Sequence, residues 1–337
     1  MSLELRQLGR TGIKVTNLCL GCMMFGGKTD AGDSMAIIDR ALDAGINFLD
    51  TANVYNAGRS EEVTGDALKR NGKRQQVILA TKVHGKMGEG PNDMGNTRSH
   101  IIDQCEQSLR RLKTDYVDLY QVHRPDPHIP IDETLRALDD LIRAGKVRYI
   151  GTSTYAAWQL VESLWVSKEY NLNRFVCEQP PYHLLDRRIE RELIPMAQTY
   201  GFGVIPWSPL AGGMLTGKYR RGEEPPEDSR WAAYATNPIQ RRRWSEAIFD
   251  AVEPLEALAQ DHGCTLSQFS LAWCMQQLAI TSPIIGPRTM DQLEDNLKAV
   301  DVTLTAEEEK AINGIVRPGT HVSPYYEADF GPHPFRV

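Results

Sequence analysis

Gly45-Ile46-Asn47-Phe48-Leu49-Asp50-Thr51-Ala52-Asn53-Val54-Tyr55 contains the junction on which the fold turns. Upstream, Ile37, Ile38, Ala41 and Leu42 fall on one helical face, and Gly45 stops the helix. Ile46 to Leu49 is then a short apolar strand that ends at an aspartate, with a tyrosine five residues beyond. The same order recurs twice. Ile131, Leu135, Leu138, Leu141 and Ile142 form a face, Gly145 ends it and 147–150 is a strand; Ile189 through Ala197 leads to Gly201 and the strand 202–205. Helix, glycine, short apolar strand is the αβ junction of a parallel sheet.

Eight such strands are predicted, over 16–20, 46–49, 77–81, 116–121, 147–150, 175–178, 202–205 and 282–285. Helices are predicted over 34–44, 60–69, 97–112, 132–144, 156–166, 187–200 and 290–299. Eight βα units with near-continuous apolar strands imply an α/β fold closed as a (β/α)8 TIM barrel. No strand runs into G-x-G-x-x-G, the mark of an open dinucleotide-binding sheet. Residues 3–15, alternating on both sides of Gly9-Arg10-Thr11-Gly12, read as an N-terminal β-hairpin. Between strands seven and eight lie a long polar loop (210–238), an extra helix (241–262) and the helix 266–276. That loop, the 87–95 loop and a C-terminal tail (317–337) rich in Pro, Gly and aromatics are candidate lids. No linker interrupts the chain, so 1–337 is expected to be one domain with its core over about 5–316.

The 337 residues carry a net charge of −6, which argues against a nucleic-acid binder, and the one basic run, Arg241-Arg242-Arg243, fits a solvated helix face. A hydrophobic content of 41% with 24% charged residues suits a soluble enzyme. Six cysteines in this length make no disulfide framework, and the Cys19/Cys22 pair has no second pair or clustered histidines to complete a zinc site. No metal, no membrane span and a cytoplasmic setting are therefore expected; the apolar run after Lys14 is too short and too far in for a signal peptide.

Loops that follow the strands of a parallel barrel share one face, where sites are built. Asp50, Lys82 and His123 each end an apolar run on successive strands, and adjacent strands lie about 4.8 Å apart, within reach of Tyr55. A phenol is a poor acid at neutral pH; an ammonium beside it favours the phenolate, and a carboxylate can hold that ammonium. A tyrosine so supported can protonate a carbonyl oxygen as hydride reaches the carbon, while a neutral histidine orients the carbonyl. Each residue alone has a structural explanation as cap, surface charge or buried histidine, but four at one barrel mouth point to a proton-transfer site.

The run Gly45 to Ala52 with Tyr55 and Gly58 resembles the aldo-keto reductase superfamily. So do Leu109-Arg110-Arg111-Leu112, Asp115-Tyr116-Val117-Asp118-Leu119 and Gly145-Lys146-Val147-Arg148-Tyr149-Ile150-Gly151. Trp207-Ser208-Pro209-Leu210, Gly212-Gly213 and Leu215-Thr216-Gly217-Lys218 resemble its bacterial-type and potassium-channel β-subunit-like branches. The resemblance implies an oxidoreductase with Tyr55 as general acid, Asp50 and Lys82 as its support, and His123 as the residue that orients the carbonyl. It implies a nicotinamide cofactor, NADPH before NADH, against Gly21, Ser153, Thr154, Gln179, Trp207, Ser208, Pro209 and Leu210. Members usually have Ser-Asn where this chain has Ser153-Thr154, which removes an amide.

Gly212 to Lys218 also matches most of a triphosphate-binding loop, but Tyr219 stands where Ser or Thr should hold magnesium and no helix pattern starts there. By the resemblance, Gly212 and Lys218 cover the cofactor pyrophosphate, while Gly286, Arg288, Gln292 and Asn296 meet the adenosine 2′-phosphate and adenine. Gln292 also forms a capping box with Thr289. Substrate contacts are expected from Phe25, Tyr55, His123 and Trp207, with Tyr325, Tyr326 and Phe330 of the tail as a cover. The partner implied is a small carbonyl compound, or an alcohol in the reverse direction. A cofactor-binding regulatory or sensor subunit with little turnover is the alternative.

Overall fold

A computed structural model describes residues 3–234 and 244–323. Two short strands, β1 (Leu5–Gln7) and β2 (Lys14–Thr16), pair antiparallel with Leu5 opposite Thr16, the expected hairpin. The parallel strands are β3 (Cys19–Gly21), β4 (Phe48–Asp50), β5 (Ile78–Val83), β6 (Val117–Val122), β7 (Val147–Ser153), β8 (Cys177–Gln179), β9 (Gly203–Val204) and β10 (Ile284–Ile285). Their order in the sheet is β10-β3-β4-β5-β6-β7-β8-β9. Closure comes from the amides of Thr281 and Ile284, which donate to the carbonyls of Val204 (2.7 Å) and Pro206 (2.8 Å). The fold is the (β/α)8 barrel.

Two apolar layers hold it. Leu8, Val15, Cys19, Phe48, Ala80, Leu119, Cys177, Ile205 and Ile284 fill the barrel interior. Leu8 and Val15 come from the hairpin, which therefore plugs the barrel floor. Gly9 makes this possible: a Cβ there would lie 2.4 Å from the Val176 carbonyl oxygen, and its φ is +57°. The second layer lies between strands and helices, where helix Ile131–Arg143 buries Leu135, Leu138 and Leu141 as its spacing requires. Truncating one such leucine to alanine costs about 2–5 kcal/mol.

Some of the helices begin at side-chain caps. Asp30 accepts from the Asp33 amide, Thr97 from His100 and Thr265 from Gln268. Gly45 and Gly145 stand just past helices Ala31–Asp43 and Ile131–Arg143 in the left-handed region that such exits need.

Three boundaries differ from the sequence reading. The first six barrel strands run past their apolar segments into Gly21, Asp50, Lys82, Val122, Ser153 and Gln179, because the polar groups among these partner one another at the mouth. The predicted helix 187–200 is a 3-10 turn (Arg188–Glu190) and a separate helix (Leu193–Tyr200); Pro195 has no amide to bond the Arg191 carbonyl. The helix Ala306–Ile315 was not anticipated, although Thr305 and Glu308 form a capping box that announces it.

The described parts of the long segment after β9 are packed. Tyr219, Trp231, Trp244 and Phe249 pack as one aromatic cluster with ring centroids 5.3–6.4 Å apart. Arg221 also ties the segment to Glu246, Asp250 and Glu253 of helix Glu246–His262. That helix occupies most of the predicted 241–262; Arg241-Arg242-Arg243 lies outside the described residues. No helix among the described residues is long and apolar enough to cross a membrane.

Candidate functional site

The strand register assembles the mouth. Gly21 stands beside Asp50, Lys82 beside Gln121, and Ser153 beside Gln179. Gly21 has no room for a side chain, since a Cβ would meet Ile284 Cγ2 at 2.6 Å.

Asp50 and Lys82 form an ion pair sealed from solvent, with the Lys82 side chain fully buried. Lys82 Nζ also donates to the Thr51 carbonyl at 2.8 Å and to the Tyr55 hydroxyl at 3.3 Å. The other Asp50 oxygen, Oδ1, accepts from Gln121 Nε2 (3.0 Å) and Gln179 Nε2 (2.9 Å). A buried ion pair is tolerable only when its remaining lone pairs are satisfied, and here both carboxylate oxygens are. Burial alone would push the Lys82 ammonium down; the Asp50 carboxylate, then Tyr55, outweigh it and hold the ammonium above the usual lysine range.

Tyr55 is fixed from below by its own backbone. Asn56, Ala57 and Gly58 follow with φ of 49°, 53° and 91°, three left-handed residues in a row. Such strain persists only where surrounding contacts over-determine it. Here Asn56 Nδ2 donates to the carbonyls of Met23 and Phe25, and Ser60 Oγ donates to the Cys22 carbonyl. His123 sits against the phenol ring, edge to face, with centroids 5.6 Å apart. Burial, then the charges of Lys82 and Arg124, push its imidazole well below the usual histidine range, so it is neutral near pH 7.

Ser153 Oγ donates to the Gln179 carbonyl (2.9 Å), and Gln179 Nε2 is taken up by Asp50 and Gln121. Thr154 has a φ of 62°, and its hydroxyl donates to the Ser153 carbonyl at 2.7 Å. Trp207, just past β9, lies partly buried and packed against both apolar layers, its amide bonded to the Pro180 carbonyl (2.9 Å). Ser208 is left-handed (φ 54°) and opens a tight turn through Pro209 and Leu210, whose carbonyl accepts from Gly213 and Leu215. Gly212 and Gly213 are left-handed too, and no helix starts at Lys218. That removes the context a triphosphate loop needs.

Lys218, Arg288 and Arg230 converge. Partial burial, then the charges of Arg288 and Arg230, hold the Lys218 ammonium below the usual lysine range. Among the described residues no carboxylate pairs with any of the three, although Arg220 and Arg221 nearby are both paired. Such a trio has the charge to hold an anion. Gly286 is open to solvent; Gln292 Oε1 accepts from the Arg288 amide at 2.8 Å, which leaves its other amide atom to a ligand, and Asn296 is buried one turn on.

Phe25 is fully buried between the β3 exit and the helices and offers no surface to the mouth, whereas the neighbouring Met23 is exposed. The tail up to Ser323 runs back along the β8 exit: the Arg187 amide donates to Thr320 and the Val322 amide to Leu185. Tyr325, Tyr326 and Phe330 lie outside the described residues.

The sequence reading overlooked Gln121, Arg230 and Glu178. Gln121 was legible, because it stands two residues before His123, which directly follows β6 and extends its alternation. Arg230 reaches the trio only through the aromatic cluster that folds its loop, and no spacing announces it.

The sequence profile described as the aldo/keto reductase family matches residues 17–317. An uncharacterized oxidoreductase, YrpG, of Bacillus subtilis is 40% identical over 322 residues, covering 93% of this chain and 96% of that protein. A probable voltage-gated potassium channel subunit beta of Oryza sativa is 38% identical, covering 94% of this chain and 97% of that protein. A putative subunit of the same description in Schizosaccharomyces pombe is also 38% identical, covering 92% of each.

Proposed function

The chain belongs to the aldo/keto reductase family, and from that premise we propose that it is an NADPH-dependent oxidoreductase that reduces an aldehyde or ketone to an alcohol, reversibly. The observation that carries the reading is the sealed Asp50–Lys82 pair with its ammonium 3.3 Å from the Tyr55 hydroxyl, beside a neutral His123. Ser153, Gln179 and Trp207 would hold a nicotinamide, which when bound would supply hydride for the carbonyl carbon. Tyr55 delivers its proton to the carbonyl oxygen, and the Lys82 ammonium stabilises the phenolate left behind. Asp50 keeps the ammonium in place and charged. His123, neutral, hydrogen-bonds the carbonyl oxygen and directs it toward Tyr55. Gln121 orients Asp50 from the side opposite Lys82.

Preference for NADPH is supported by Lys218, Arg230 and Arg288, three cations that no carboxylate among the described residues pairs with, which suit a phosphate dianion. Ser208, Pro209, Leu210 and Gly212 line the path between that trio and the nicotinamide end, and Gly286, Gln292 and Asn296 flank the trio. Gly21 gives the nicotinamide end its clearance. The substrate meets Tyr55, His123 and Trp207.

The test is consumption of NADPH with a panel of aldehydes and ketones, repeated with Tyr55→Phe. Loss of the general acid lowers kcat by about 10²–10⁴-fold with cofactor affinity kept; unchanged turnover overturns the mechanism. The names of the channel-subunit relatives favour a second reading, a cofactor-binding regulatory subunit. That reading predicts NADPH binding with little turnover on every carbonyl tried.

A further inference from the structure

Glu178 is fully buried, carries a carboxyl group and takes no part in the mechanism above. It sits on β8 beside Gln179, and strand alternation sends its side chain away from the mouth while Gln179 faces Asp50. Its Oε1 accepts from the Tyr155 amide at 3.1 Å, and Thr152 Oγ1 donates to its Oε2 at 2.5 Å. The two donors flank Ser153-Thr154, the turn that leaves β7. Thr154 is β-branched and left-handed, a conformation such a residue resists, so contacts from outside the turn must hold it. Three do: Glu178 on the Tyr155 amide, the Gln179 carbonyl on the Thr154 amide (3.2 Å), and Arg124 Nη1 on the Thr154 hydroxyl (3.4 Å).

We propose that Glu178 is a positioning residue whose carboxyl holds the left-handed Ser153–Tyr155 turn in the shape that receives the nicotinamide cofactor. This rests on the reading of Ser153 as a nicotinamide contact. The charged and titratable groups around Glu178 are Arg124 and Asp126 from the β6 exit, Tyr155 across the turn and Cys177 on its own strand. Burial pushes the Tyr155 phenol and the Cys177 thiol upward, so both are neutral, and Arg124 is the countercharge that acts on the carboxyl.

Burial likewise pushes the Glu178 carboxyl up to about 8, against the pull of Thr152, Tyr155, Thr154 and Arg124. A carboxyl raised in the closed turn and ordinary in an opened one binds more protons when closed. The closed turn is therefore most favoured below the ordinary carboxylate value. It loses ground as pH rises toward about 8 and is level above that.

The experiment compares the full-length wild type with Glu178→Gln and Glu178→Leu. Gln is the neutral isostere: its carbonyl can accept from Tyr155 and its amide can donate to Thr152. NADPH affinity is read by tryptophan quenching from about pH 5.5 to pH 9, a range spanning the carboxyl's rise. The ratio of E178Q to wild-type affinity is expected to climb by up to about tenfold per pH unit until about pH 8 and then flatten, which cancels the titration of the cofactor phosphate common to both. E178L is expected to bind weakly at every pH, with KM for the cofactor raised more than kcat is lowered.

Amide hydrogen exchange at Tyr155, measured without cofactor and corrected for intrinsic rates, should lose protection over the same window in wild type and not in E178Q. A constant affinity ratio together with equal Tyr155 protection in both proteins overturns the proposal. Failure of the wild type to bind NADPH would instead sink the cofactor reading, and the exchange measurement would still decide whether Glu178 holds the turn.

Discussion

Replacing Lys82 with methionine keeps the length of the side chain and removes its charge from a fully buried position. Two losses follow, and they can be measured apart. The first is stability. Asp50 stays buried without its cation, which costs about 3–5 kcal/mol in comparable sites, toward the lower figure here because Gln121 and Gln179 still donate to Oδ1.

The second is turnover. The ammonium 3.3 Å from the Tyr55 oxygen attracts the negative charge that develops there in the transition state, an interaction of roughly 5 kcal/mol at an effective dielectric of about 20. Asp50, on the far side of the ammonium, opposes part of that, so a fall in kcat of about 10²–10³-fold is expected. Urea denaturation followed by circular dichroism reads the first loss, and steady-state NADPH oxidation reads the second. Lys82→Met combined with Asp50→Asn removes the orphaned charge and should recover most of the stability but none of the turnover. A double variant that regains activity would refute the role given to the ammonium; a single variant as stable as wild type would refute the account of the buried pair.

Alanine at Lys218, Arg230 or Arg288 should each weaken NADPH binding by about 1.5–3 kcal/mol and leave NADH nearly unchanged, as read by fluorescence titration; equal losses for both cofactors would place the 2′-phosphate elsewhere. The His123 imidazole should titrate well below the usual histidine range by NMR. Since its folded form binds fewer protons than the unfolded chain, its contribution to stability is present above the ordinary histidine value and is lost as pH falls below it. Thr154→Asn replaces a β-branched residue at φ 62° with one that accepts this conformation, and should raise stability by about 1 kcal/mol in thermal denaturation, less whatever the Arg124 contact contributes.

Much of the site was legible because it follows strand ends. Asp50, Lys82 and His123 close apolar runs, and in a parallel barrel all such ends open on one face. Gln121 was legible too, by the period of the strand that leads into His123. The cation trio was readable only in part. Lys218 and Arg288 stand beside recognisable strand exits, but Arg230 is brought to them by Trp231 and Trp244 packing with Tyr219 at long range.

The amino-acid order by itself determined the barrel, its hairpin and the choice of residues proposed for proton transfer, because periodicity and glycine stops are local and act within a few turns of chain. Tertiary structure decided what each polar group spends its hydrogen bonds on. Phe25 reads as a mouth residue in sequence and is buried once the helices pack. Gln179 reads as a nicotinamide ligand with a whole amide to offer, yet its Nε2 is committed to Asp50 and Gln121, which leaves only its side-chain oxygen for that role. Glu178 has no meaning in the chain until β7 is laid beside β8, because only then does its carboxyl reach the Tyr155 amide. Such partners are set by the register of strands far apart in sequence, and that register exists only in the closed barrel.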